Sequence, residues 1–175
     1  MRVFDSRFFS GPPTPSPAPR GQLAPLIGFV GLCLLVAGAD SAVTVSSAHG
    51  WYLSLTRPPG TPPNWVFGPV WTVLYIMMGT AAWLVWRRVS GAQWRVMRLW
   101  GWQLLLNAAW SPVFFRLHSP ALGLCVIVAL LVLVGLTILA FRRIDPIAAA
   151  LMLPYALWTC YATYLNAGFV LLNPG

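Results

Sequence analysis

Five apolar stretches, each about as long as a bilayer is thick, leave this chain few folds to choose from. They run over residues 23–45, 66–86, 99–117, 121–141 and 146–172, and a transmembrane helix needs about 20 such residues. Inside lipid every backbone N–H and C=O must be satisfied by the protein, so only helices or a closed barrel can span. The runs lack the strict alternation of a barrel strand. Composition agrees: 58% of residues are hydrophobic, 8% are charged and mean hydropathy is +0.73, against about 25% charged in a soluble domain. The expected fold class is all-α, a polytopic membrane protein built as a bundle of five transmembrane helices.

Charge placement orients the bundle. The net charge of +8 comes from eleven Arg and three Asp, with no Lys or Glu. The arginines stand at the ends of apolar runs and not along one amphipathic face, so no nucleic-acid partner is expected. With five spans, Arg2, Arg7, Arg20, Arg87, Arg88, Arg95, Arg98, Arg142 and Arg143 share the side of the N-terminus, and Arg57 and Arg116 take the other. The positive-inside rule then puts the N-terminus in the cytoplasm and the C-terminus outside. A transit-like segment is lacking, which favours a bacterial plasma membrane.

Residues 1–22, rich in Pro and Arg, read as a disordered tail, and residues 23–175 as the transmembrane domain. Ala37-Gly38-Ala39 looks like a signal-peptidase site whose use would leave four spans, but the apolar run around it is longer than a usual signal segment. Short connections make the later sequential helices antiparallel neighbours. Residues 46–65 differ: they form a long outside loop whose Trp51, Tyr52, Leu53, Leu55 and Trp65 predict a packed lid.

The chain has ten tryptophans. Trp83, Trp86, Trp94 and Trp100 lie near the cytoplasmic arginines and suit an interfacial belt. Trp71, Trp110 and Trp158 lie within spans. Helical spacing aligns Trp71 with Tyr75, Asn107 with Trp110, Ser111 and Phe114, and Trp158 with Ala162 and Asn166. Each stripe is either a helix-packing surface or the wall of a ligand slot, and spacing leaves both open. Gly28 and Gly31, and likewise Ala121, Cys125 and Ala129, make smooth faces for a close approach of helices, within one bundle or between two copies.

Other chemistry is sparse. Asp40, at the outer end of the first span, is placed to reach water and offers no relay for proton-coupled transport. Cys33, Cys125 and Cys160 stand singly in separate runs and read as small packing residues. His49 and His118 show no ligand spacing, so no metal site is expected. No nucleophile and base pair, phosphate-binding loop or paired carboxylates stand out in the sequence, so hydrolytic and phosphoryl-transfer chemistry has no support in it.

Three separated segments carry a family resemblance: WYLSLTRPPGTPPNWVFGPVWTVLY at 51–75, QLLLNAAWSPVFF at 103–115 and LPYALWTCYATYLN at 153–166. Over residues 24–173 the chain resembles the translocator protein (TspO/MBR) family, also called tryptophan-rich sensory proteins or peripheral-type benzodiazepine receptors. The resemblance implies a five-helix homodimer with a pocket under the first loop that takes porphyrin or haem as a ligand, with no obligatory cofactor. By position, Trp71 and Trp158 are implied as pocket tryptophans linked to light-dependent porphyrin breakdown, catalytic only where that reaction occurs. Tyr75, Asn107, Trp110 and Ala162 are implied as further ligand-binding positions, and Trp51 and Arg57 as part of the covering loop.

The implied function is an integral membrane tetrapyrrole-binding protein acting as sensor, carrier or scavenger, with ligand, membrane lipid and a second copy as partners. The alternatives are a light-dependent porphyrin-degrading enzyme, and a transporter or receptor for another flat apolar ligand such as a sterol. Two features depart from the family pattern, the Pro-rich tail and Asp40. No Lys or Arg follows Tyr164, so the aromatic-plus-basic sterol motif of some relatives is missing.

Overall fold

The computed structural model describes residues 23–47, 50–89 and 94–174; the expected tail at 1–22 and His49 lie outside them. Its regular elements are helices: α1 (Leu23–Ser47), the short α2 (Trp51–Ser54), α3 (Asn64–Trp86), α4 (Trp94–Ser111), α5 (Pro120–Arg142) and α6 (Pro146–Leu172). A π-helical turn, Pro112–Arg116, prolongs α4. The five long helices fall on the five predicted spans. α1, α3 and α5 qualify as spans by length and apolarity alone. α4 and α6 are diluted by polar residues, several of which, including Gln103, Asn107, Thr159 and Asn166, are buried inside the bundle.

Local chemistry sets the helix ends. Pro120 and Pro146 begin α5 and α6, where a missing N–H costs nothing. Ser119 and Asp145 precede them as N-caps. The Asp145 carboxylate accepts hydrogen bonds from the backbone N–H of Ile147 at 2.9 Å and Ala148 at 3.3 Å. Its second oxygen lies 3.0 Å from Nη1 of Arg88, at the end of α3, so one sealed side chain starts α6 and ties it to α3. Replacing Asp145 by Ala is expected to cost about 1–2 kcal/mol, mostly the lost cap, because Arg88 is 43% exposed and loses little when unpaired. Thermal unfolding in detergent checks this: Asp145→Asn, which keeps a capping oxygen, should lose clearly less, and equal losses would shift the weight to the ion pair.

The helices close into a ring in the order α1, α3, α6, α5, α4 and back to α1. Here the expectation that sequential helices are neighbours fails at one step, since α3 and α4 barely touch. The packing faces of α3 are committed elsewhere. One side meets α1 at Gly79, where an added Cβ would sit 2.8 Å from the Cα of Val30, and the other meets α6.

Tyr75, Met78, Phe141, Met152 and Tyr155 are fully buried in the interior. Trp100 belongs there too: it is 5% exposed with its ring edge-on to Phe29 at 5.5 Å, which corrects its placement in the belt. Trp94 is half exposed, as an interfacial position requires, whereas Trp83, with the guanidinium of Arg87 4.8 Å over its ring, has its indole Nε1 buried. Of the cysteines only Cys33 packs in the core; Cys125 and Cys160 face outward.

Candidate ligand cavity

The ring of helices leaves a hollow of about 410 Å³ reached by residues of α1, α3, α4, α5 and α6 and closed on one side by Tyr52 of α2. Its volume lies within the range of about 300–1,000 Å³ usual for small-molecule sites. Aromatic walls come from three helices. Trp71 of α3 and Trp158 of α6 meet almost perpendicularly, with ring centroids 6.5 Å apart. Tyr75 and Tyr155 flank Trp71 at 5.6 and 6.3 Å.

The third wall depends on the π turn. Pro112 has no N–H to give, and the backbone widens so that the N–H of Leu117 reaches the Pro112 carbonyl at 3.2 Å. That turn carries Phe114 and Phe115 inward, with Phe114 stacked on Trp110 at 5.1 Å.

A polar thread crosses the apolar walls. The Tyr75 hydroxyl lies 3.0 Å from Oδ2 of Asp40 on α1 and 3.0 Å from Oδ1 of Asn107 on α4. Nδ2 of Asn107 donates to the Tyr155 hydroxyl at 2.6 Å. Trp110 donates its indole N–H to Oδ1 of Asn166 at 3.0 Å, and Nδ2 of Asn166 donates to the carbonyl of Pro120 at 2.7 Å. The indole Nε1 of Trp158 is buried without any partner.

The loop is tied to the bundle, but not by all of the residues expected to pack it: Tyr52 is buried and Trp51 and Leu55 partly so, whereas Leu53 and Trp65 are exposed. The hydroxyls of Tyr161 and Tyr164 donate to the carbonyls of Gly60 and Pro59, the second at 3.1 Å. Asn173 brackets Thr56, accepting from its N–H at 2.8 Å and donating to its carbonyl at 3.1 Å. Pro58 rests on Gly168, where an added Cβ would lie 2.6 Å from the proline Cγ.

Six of the residues anticipated for the site, Trp71, Tyr75, Asn107, Trp110, Trp158 and Ala162, line this one cavity. Trp51 and Arg57 do not. Trp51 packs behind Phe114 at 5.9 Å and against His118 at 4.7 Å. Arg57 is exposed, its guanidinium 5.5 Å above the Tyr52 ring. From residues 46–65 it is Tyr52, packed against Phe115 and Phe169, and Asn64, at the start of α3, that reach the cavity. Burial pushes the Tyr52 phenol above the ordinary tyrosine value, and Arg57 pulls part of that back.

Asp40, Phe67 and Thr159 also line the cavity without having been singled out for it. Thr159 lies next to Trp158 in the chain, and Phe67 lies one helical turn before Trp71, which was the available signal. Asp40 had none, because its partner is Tyr75, 35 positions away.

The family model described as the TspO/MBR family matches residues 29–172. A tryptophan-rich protein TspO of Chlorobaculum tepidum is 42% identical over 159 residues, covering 87% of this chain and 98% of its own length. A translocator protein of Bos taurus is 32% identical, covering 81% of this chain and 86% of the relative. A tryptophan-rich sensory protein of Cereibacter sphaeroides is 37% identical, covering 70% and 77%.

Proposed function

The chain belongs to the TspO/MBR family, and from that premise we propose that it is an integral membrane tetrapyrrole-binding protein, acting as sensor, carrier or scavenger of porphyrin or haem. The observation that carries this reading is the slot walled by Trp71, Trp110 and Trp158, since a flat macrocycle gains most from ring faces and apolar burial. The unpartnered N–H of Trp158 supplies a donor for the ligand; that of Trp110 is already taken by Asn166. Arg57, outside the cavity and above Tyr52, is suited to propionates that project past the lid.

A second reading, light-dependent degradation of the porphyrin, is favoured by the contact of Trp71 with Trp158 and its continuation through Tyr161 at 5.7 Å, a run of easily oxidised rings beside the ligand. Porphyrin titrated into the purified protein separates the readings. Quenched tryptophan fluorescence with stable porphyrin absorbance marks binding alone, bleaching under light marks chemistry, and neither response defeats both. Trp71→Phe and Trp158→Phe are each expected to weaken binding by about tenfold, roughly the value of one lost buried hydrogen bond or ring contact. Trp86→Phe, fifteen positions along α3 from Trp71, should leave the titration unchanged; an equal loss there would mean that the cavity is not where porphyrin binds.

We place the protein in a bacterial plasma membrane with the N-terminus cytoplasmic, and a reporter fused after Gly175 is expected outside while one inserted between Arg87 and Arg98 is inside. A cytoplasmic C-terminal reporter would overturn that orientation. Homodimerisation is part of the same proposal. It is supported by the smooth faces at Gly28 and Gly31, where an added Cβ would meet nothing within 4 Å, and at the exposed Ala121, Cys125 and Ala129.

A further inference from the structure

We propose that the cavity also receives a lipophilic organic ammonium ion, held by the carboxylate of Asp40 and by the ring faces of Tyr75 and Trp71. This does not depend on tetrapyrrole binding. Asp40 lies in the last third of α1, seven residues before the helix ends at Ser47, is half-buried, and lines the same cavity as the tryptophans. An ionisable side chain at that depth is costly unless it is paired or faces a polar cavity. Among the described residues the ion pair is Arg88 with Asp145; none involves Asp40.

The partners that Asp40 does have are neutral. Tyr75 donates its hydroxyl to Oδ2 at 3.0 Å, and Ser111 lines the same cavity. Hydroxyls solvate a carboxylate without cancelling its charge, so the site lacks a cation.

The chemistry of the walls says which cation. Calcium or magnesium needs six or more oxygen ligands, and no group of three or more candidate metal-ligating side chains occurs among the described residues. The cavity that the carboxylate lines has aromatic walls: the Tyr75 ring lies 5.6 Å from that of Trp71, and Trp158 meets Trp71 almost perpendicularly at 6.5 Å. One anion beside several electron-rich ring faces is the arrangement that binds substituted ammonium groups, by charge on one side and cation–π attraction on the others. A cavity of about 410 Å³ leaves space for an attached apolar ring.

The test compares three probes on the detergent-solubilised full chain by calorimetric titration. They are naphthylmethyl trimethylammonium, its uncharged isostere with carbon in place of nitrogen, and naphthylmethyl sulfonate, each corrected for partition into protein-free micelles. The wild-type protein is expected to bind the ammonium ion at least tenfold more tightly than the sulfonate. Asp40→Asn, which keeps an acceptor for Tyr75, should lower the ammonium-to-isostere affinity ratio at least tenfold, and Asp40→Glu should keep most of it. An unchanged ratio in Asp40→Asn, or a sulfonate that binds wild type as well as the ammonium ion does, overturns the proposal. The sulfonate comparison needs no variant and stands even where a substitution at Asp40 prevents folding.

Discussion

Replacing Asn107 by Ala is expected to lower the thermal stability of the detergent-solubilised protein by about 1–3 kcal/mol, the cost of leaving buried polar groups unpaired. Asn107 is 4% exposed and joins two hydroxyls that are sealed from solvent, Tyr75 at 2% and Tyr155 at 0%. Its Oδ1 sits 3.0 Å from the Tyr75 hydroxyl, which has one proton to divide between it and Asp40, and its Nδ2 donates to Tyr155, so that it holds α3, α4 and α6 to a common point. α3 and α4 scarcely meet elsewhere; the other direct bond between them, among the described residues, runs from Gln103 Nε2 to Met78 Sδ at 3.0 Å. Asn107→Leu keeps the volume while removing both bonds, so the difference between the Leu and Ala variants isolates the cavity contribution. A Leu variant as stable as wild type would show that the bridge adds nothing, as some interhelical hydrogen bonds in membranes do.

Gly79→Val should be as damaging, by a steric route, at about 1–3 kcal/mol for overpacking. The obstacle at Gly79 is the backbone of Val30, whose N is 3.0 Å and whose Cα is 2.8 Å from the position of an added Cβ. A backbone cannot rotate away as a side chain does, so α1 must back off α3. One helical turn along α3 stands Tyr75, bonded to Asp40 on α1 at 3.0 Å, and a separation of the two helices breaks that contact as well. Unfolding temperature and ligand titration should therefore fall together. Lost stability with ligand affinity intact would mean that α1 pivots about Gly79 without disturbing the cavity wall.

Much of this architecture is local chemistry and was readable as such. Spans end where arginines gather, and α5 and α6 begin where Ser119-Pro120 and Asp145-Pro146 supply a cap and a preset φ. The stripes on α3, α4 and α6 converge because helical spacing already fixes which side chains share a face. What spacing does not determine is how the faces meet. Trp100 has the same company of arginines as Trp94, yet one is core and the other half exposed, because Phe29 of α1 covers only the first. Asp40 looked like a group near water until Tyr75 was brought beside it. The loop showed its aromatic content plainly, but that Tyr52 dips inward while Trp51 and Arg57 stay outside follows from contacts with the π turn, an element that Ser111-Pro112 permits without announcing.

The order of helices around the ring also has a consequence for how the protein is made. α3 must wait for α6, the last of the five long helices in chain order, before its second flank is covered. At about 5–20 residues per second, the interval between completing α3 and completing α6 is on the order of ten seconds. During that time Trp71 and Tyr75 have neither Tyr155 nor Trp158 beside them, and Asn107 has only half its bonds. A chain broken off after α5 keeps four hydrophobic helices and inserts, but it has no closed chamber. A closed chamber thus requires α6, and a copy lacking it would present an open, tryptophan-lined seam along α3.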